Sequence, residues 1–203
     1  MTAPTAQQLD ISFSLEAGDW ETVVTDAEML VEAAARAAFE AAERPEILDN
    51  APAEMSLVLA DDALVQTLNR DYRDKDKPTN VLSFALLDGS DDIDDDTDDV
   101  LAREEGMPIL IGDVILAFET VQREAREQGK SFGNHLTHLV IHGVLHLLGY
   151  DHQSDPDADR MERLETSILA RMGIADPYSA SPAQAAAAQG ETGADGATTL
   201  QPT

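Results

Sequence analysis

Hydrophobic positions alternate with polar ones from Leu9 to Leu15, where Ile11, Phe13 and Leu15 share one side, as in a half-buried strand. The period then changes. From about Asp26 to Ala42 the apolar positions Leu30, Ala34, Ala38 and Ala41 recur at helical spacing, Glu21, Asp26 and Glu28 place negative charge near the helix start, and Pro45 marks its end. Met55 to Ala60 reads as a buried strand. Asp61-Asp62 then opens a helix that carries Leu64, Val65 and Leu68 toward Tyr72.

Ile109 to Ala117 is again strand-like, and Phe118 to Gln128 reads as a helix with Val121 and Ala125 inward, Glu119, Arg123, Glu124 and Arg126 largely outward, and Gly129 as its stop. Residues 134 to 148 follow as a helix apolar on nearly every side, through Leu136, Leu139, Val140, Ile141, Val144, Leu145, Leu147 and Leu148, which places it at the centre of the fold. Asp157 to Met172 is a last amphipathic helix, with Met161, Leu164, Ile168 and Leu169 at helical spacing. Met161 reads as a core methionine. Beyond Gly173 the composition shifts to Ala, Gly, Ser, Thr, Gln and Pro, so residues 178–203 are expected to form a disordered tail after a single domain spanning 1–177.

The central helix carries the chemistry. His142 and His146 are four residues apart and emerge from one face, so two imidazoles can meet one ion. Gly149 can end the helix in a left-handed cap and turn the chain so that His152 approaches the same ion from a loop. A set of three imidazoles suits zinc and leaves a fourth position open, whereas structural zinc sites are closed by four protein ligands. The rival set His138, His142 and His146 fails on length, because residues eight apart are separated by roughly 12 Å along a helix axis and zinc–nitrogen bonds are only about 2 Å long. His138 and His135 are therefore expected to support the ligands from behind, to pack, or to face solvent. The spacing also fits a metzincin protease, H-E-x-x-H-x-x-G-x-x-H, but the position of its glutamate base is Gly143, which has no side chain.

Composition narrows the setting. The chain has 203 residues, suggesting one domain, with 43% hydrophobic residues and a mean hydropathy of -0.25, as expected of a globular protein with a real core. The absence of cysteine excludes disulfides and thiolate ligands and suits a reducing cytosol. Residues 1–9 show neither a basic cluster nor an apolar core, and no apolar run is long enough to cross a bilayer, so a cytoplasmic, membrane-free protein is expected. The formal charge is 13 − 40 = -27, which on average repels phosphate. Much of it sits between Asp88 and Glu105, where ten acidic residues face one arginine; this run lacks the glycine and terminal glutamate spacing of an EF-hand and reads as a solvated, disordered loop. Arg70, Arg73, Lys75 and Lys77 are a local departure, four of the thirteen basic residues within eight positions, open to both phosphate binding and an ordinary solvated turn.

Two segments resemble one family. His142 to His152, HGVLHLLGYDH, is similar to the H-G-x-L-H-L-x-G-Y-D-H pattern of the YbeY endoribonucleases, bacterial rRNA maturation factors, and Leu68 to Phe84 resembles their L-N-x-x-Y-R-x-K-D-K-P-T-D-V-L-S-F segment, with Asn80 standing where many members carry aspartate. Gly112-Asp113 is similar to the family's G-D-I/V segment. The resemblance covers roughly residues 9 to 173. It implies an α+β fold, a small mixed sheet packed with helices around a central metal-binding helix, and a zinc-dependent, single-strand-specific endoribonuclease acting on the 3′ end of small-subunit rRNA and in ribosome quality control. One Zn2+ would be held by His142, His146 and His152. Arg73 aligns with an arginine implicated in activity, which fits a guanidinium gripping a phosphate. Arg70, Lys75, Lys77 and Asp113 are further substrate-binding candidates, Asp113 being equally readable as a turn or bulge aspartate. Implied partners are precursor rRNA and the ribosome or its proteins, with no DNA. The alternatives are an assembly factor with a structural zinc, closed by a fourth ligand such as Asp151, and a metzincin-like peptidase.

Overall fold

The computed structural model describes residues 8–49, 51–87 and 107–179. Four strands, β1 (Leu9–Leu15), β2 (Ala53–Ala60), β3 (Val81–Ala85) and β4 (Ile109–Ala117), form one sheet in the order β1-β2-β4-β3. β1 and β4 run parallel to β2, and β3 is an antiparallel edge strand beside β4. The helices are α1 (Trp20–Val23), α2 (Ala27–Ala41), α3 (Asp62–Arg73), α4 (Phe118–Glu127), α5 (Phe132–Leu147) and α6 (Asp155–Arg171), with a 3-10 turn at Glu46–Leu48. This is the mixed α+β architecture that the family resemblance implied. No helix among the described residues is long and apolar enough to cross a membrane. The acidic run 88–105 and the tail from residue 180 lie outside the described residues.

The two sheet faces are covered unequally. On one, Met55, Leu57, Leu59, Val114 and Leu116 join the main core beneath α2 and α5. On the other, Ala60, Leu82, Ile115 and Ala117 pack with Val65, Leu64 and Leu68 of α3. α5 is the hub, touching α2, α4, α6, β3 and β4, and its centre is buried all round, as its sequence pattern required. Its approach to the sheet depends on Gly143, where a Cβ would lie 2.8 Å from Val114 Cγ1 and 3.1 Å from Ser83 Oγ. Position 143 therefore faces the sheet, and a glutamate there would be excluded by packing.

Caps explain where α3, α5 and α6 start. Asp61 accepts from the Leu64 amide at 2.8 Å, and Ser131 accepts from that of Asn134 at 3.2 Å, so α5 begins two residues before the expected 134. Ser154 and Pro156 likewise start α6 at Asp155 rather than Asp157. Three elements carry no strong periodic signal in the sequence: α1, which buries Trp20 completely, the 3-10 turn, and the short strand β3.

β4 contains a bulge. Glu54 pairs with Leu110 and Met55 with Gly112, so Ile111 is extra, and Gly112 takes φ +136, where an added Cβ would collide with the Phe84 carbonyl. The extra residue reverses the alternation. Gly112, Val114 and Leu116 then face α5, and Asp113 turns with Ile115 and Ala117 toward the α3 side.

Candidate metal centre and active site

The histidines meet where α5 ends. Gly149 adopts φ +87, its amide bonds the His146 carbonyl at 3.1 Å, and the Tyr150 amide bonds the Leu145 carbonyl at 3.0 Å. This is the paired closure of a Schellman cap, and it reverses the chain so that His152 folds back over the helix. The ring centroids of His142, His146 and His152 lie 4.6, 5.1 and 5.7 Å apart in pairs. One nitrogen from each falls within 4.8 Å of the other two, so the triad can bind a metal ion.

The hydrogen bonds behind the rings fix which nitrogens face inward. His142 Nδ1 lies 2.8 Å from Glu165 Oε1 and His146 Nδ1 lies 2.8 Å from the Tyr150 carbonyl. Both partners only accept when Glu165 is ionised, so both Nδ1 atoms carry the proton in the neutral rings and both Nε2 atoms present lone pairs. Those two Nε2 atoms are 3.1 Å apart. Two facing lone pairs repel unless a cation joins them, and the spacing is close to the roughly 3.3 Å expected of adjacent ligands on a tetrahedral ion with bonds of about 2.0–2.1 Å. Burial, with His142 and His152 alongside, lowers the His146 pKa to about 4, so this ring is neutral at pH 7. The donor set therefore fits a divalent metal with a taste for nitrogen.

Asp151 does not complete the set. Its Oδ1 accepts from the His152 amide at 2.7 Å, and the metal-ligating cluster among the described residues contains the three histidines alone. The three rings face a cavity of about 930 Å³ lined also by Arg73, Lys75, Ser83, Phe84 and residues 149–153. Arg73 reaches it from the last turn of α3. Its Nη2 donates to the Ser83 carbonyl at 2.8 Å, and its guanidinium lies 5.7 Å from the centre of the Phe84 ring. Ser83 belongs to the outward-facing backbone of edge strand β3, so the sheet edge holds the arginine beside the metal face.

The other candidates are dispersed. Lys75 lines the cavity, whereas Arg70 pairs with Asp71 at 2.9 Å and, like Lys77, lies off the cavity wall. Lys77 shapes the turn through its carbonyl, which accepts from buried Asn69 at 2.7 Å. Asp113, on the α3 side of the sheet, does not line the cavity. Asn80 donates to Glu124 Oε2 at 2.9 Å, and Glu124, which the helical pattern placed outward, turns in to His135 Nε2 at 3.0 Å. His135 is thus a packed group.

Glu165 is the residue that the sequence reading missed. Its side chain is wholly buried and receives His142 Nδ1 on Oε1, with His138 Nε2 at 3.0 Å and the Tyr178 hydroxyl on Oε2. Burial alone would raise its pKa, but these three donors outweigh it and hold the carboxyl at about 2. Glu165 and His138 together form the outer support of the metal face, since a carboxylate behind a ligating imidazole fixes its tautomer and orientation. A signal existed, because Glu165 sits four residues after Met161 and three before Ile168, on the apolar stripe of α6. Tyr178 lies just past the domain boundary expected at 177.

Known proteins resemble the chain over most of its length. A family model described as endoribonuclease YbeY matches residues 16–173. Proteins named endoribonuclease YbeY from Paramagnetospirillum magneticum and Rhodospirillum rubrum are 50% identical over 170 residues and 49% identical over 177. These alignments cover 84% of this chain and 96% of the first relative, and 86% of this chain and 84% of the second. A solution structure of a Thermotoga maritima protein aligns with a TM-score of 0.45 at 20% identity, covering 86% of this chain and 98% of that one. On the strength of the matched residues and relatives, the chain belongs to the YbeY endoribonuclease family.

Proposed function

We propose that the protein is a zinc-dependent endoribonuclease that cuts single-stranded RNA, acting in the cytoplasm on ribosomal RNA precursors at the 3′ end of the small-subunit species and in ribosome quality control. The observation that carries the reading is that the open three-histidine face and the Arg73 guanidinium share one cavity. His142, His146 and His152 hold the ion. When bound, it supplies Lewis acidity toward a phosphoryl oxygen or an attacking water.

The chain's own groups do the rest. Glu165 and the Tyr150 carbonyl keep the protons of His142 and His146 on the outer nitrogens. Arg73 spends one N–H on Ser83, and its remaining donors can grip the scissile phosphate and balance charge that builds on it. Lys75 adds a second cation on the same wall. Arg70 and Lys77 are left for more distant phosphates, and Asp113 for none. Position 143 offers no base, so the attacking group is a water or the RNA 2′-hydroxyl. With the protein so acidic, basic ribosomal proteins are the natural source of additional affinity in the assembled substrate.

The test is cleavage of a single-stranded RNA oligonucleotide by zinc-loaded protein beside His146→Ala and Arg73→Ala, with product ends identified by mass. Cleavage by wild type alone is expected. Linear phosphate ends name water as nucleophile, and cyclic 2′,3′-phosphate ends name the 2′-hydroxyl. A zinc-loaded wild type as inert as the variants would overturn the reading.

A further inference from the structure

Tyr72 has no role in the metal site, yet it is 72% exposed, in a chain with only three tyrosines and 4% aromatic residues. It projects from the last turn of α3 and meets Phe84 in a T-shaped contact, with ring centroids 5.4 Å apart and planes at 66°. Phe84 is itself part of the metal cavity's wall, and Arg73, the next residue after Tyr72, lies over the same Phe84 ring. An aromatic pair thus runs from the cavity out into solvent. It is flanked by Arg73 and Lys75 in the densest basic stretch of an otherwise acidic chain, where Arg70 is paired with Asp71 and Asp74 and Asp76 are interleaved.

A ring used only for packing would be covered, and the contact that Tyr72 makes with Phe84 leaves most of its surface in water. Exposed aromatics beside cations are what a single-stranded nucleic acid needs, because each base has a π-face to stack and each phosphate a charge to neutralise. In a duplex both faces of a base are already stacked on neighbours, so such a platform favours unpaired nucleotides. Resting on the endoribonuclease reading above, we propose that Tyr72 is a stacking platform for a nucleobase flanking the scissile phosphate, and that it selects single-stranded RNA. Arg73 holds the phosphate, and the adjacent ring takes the neighbouring base.

The experiment compares steady-state cleavage of a single-stranded RNA by the zinc-loaded full chain and its Tyr72→Leu, Tyr72→Phe and Tyr72→Trp variants. A matched set of substrates carries one abasic nucleotide at successive positions around the cut. Tyr72→Leu keeps an apolar side chain on Phe84 and removes the π-face. Its KM should rise by roughly tenfold or more, within the range known for loss of a stacked base, with kcat and zinc affinity held within about twofold. Phe and Trp should restore the wild-type KM. An abasic substitution at the stacked position should raise the wild-type KM to the level of Tyr72→Leu and have no further effect on that variant. An unchanged KM in Tyr72→Leu overturns the platform, as does a loss of zinc or of kcat, which would mean that Tyr72 merely supports Phe84. A wild type that cuts no substrate at all fails in a different arm and overturns the endoribonuclease reading together with this one.

Discussion

Replacing Glu165 by glutamine tests the metal centre without touching a ligand. The carboxylate satisfies three donors with two oxygens, His142 on Oε1 and His138 with Tyr178 on Oε2. Glutamine offers one oxygen and one NH2 group, so one side must lose its acceptor. If the NH2 turns toward His142, Nδ1 must become the acceptor and the proton moves to Nε2, the nitrogen that faces the metal. If it turns toward His138, that ring must carry its proton on Nδ1, which is buried and has no partner, at a cost of about 1–3 kcal/mol. Either way the metal face is less well prepared. Loss of an outer partner of a ligating histidine typically weakens metal binding about 10- to 100-fold, and Glu165→Gln is expected in that range. Chelator competition measures the affinity, and nitrogen NMR of the imidazoles in the metal-free protein reads the His142 tautomer. A zinc dissociation constant within about twofold of wild type, with the His142 proton still on Nδ1, would refute the argument.

Gly143→Ala should destabilise the fold by about 1–3 kcal/mol, because its Cβ would press on Val114, and urea unfolding with metal removed would expose the error if the variant matched wild type. Asn80→Asp should cost about 1 kcal/mol at pH 7, since a carboxylate cannot donate to Glu124, and the loss should shrink as pH falls far enough to protonate either group; a pH-independent effect would argue against the pair. The metal-free protein should lose stability in two stages on acidification. His146, with its pKa lowered to about 4, stabilises fully above 6.5, and that contribution fades between 6.5 and 4 because the unfolded chain takes up the proton first. Glu165, lowered to about 2, contributes fully above 4.5 and loses that contribution from there down to about 2. Thermal melts in chelator from pH 8 to pH 3 would show the slope, and a flat profile from pH 6.5 to 4 would contradict the neutral His146.

The three-histidine cluster was legible because it is local. His142 and His146 share a helix face, and Gly149 closes a cap whose bonds span only five residues, so spacing alone brings His152 back. Glu165 was hidden for the opposite reason. Its burial depends on α6 packing on α5, and on its own helix it is one acid among several, distinguished only by lying on the stripe with Met161 and Ile168. Asp113, which was equally readable as a site residue or a bulge aspartate, shows a subtler effect. Alternation counted from Ile109 would put it on the histidine side, and the bulge at Ile111 moves it to the other, a change of register written in Gly112 but readable only once the neighbouring strand is in place. β3 was missed as a strand because five residues at a sheet edge carry little periodic signal, although its outward carbonyl is what anchors Arg73.

That anchoring lets so acidic a chain offer the phosphate site proposed above. The net charge of -27 opposes RNA at long range, but screening over about 10 Å at 0.1 M salt confines most of that repulsion to the regions that carry it. Near the metal face the balance differs. Asp151 is the sole carboxylate on the cavity wall among the described residues, against Arg73 and Lys75 and the proposed metal, and Glu165 stands behind the histidines, with its charge already shared among three donors. The local field is thus set by a few oriented groups rather than by composition. Moving Arg73 off the Ser83 carbonyl would matter more to the site than adding or removing several surface charges elsewhere, because one cation held in place at the reacting phosphate acts at contact distance, and the distant acids act through water.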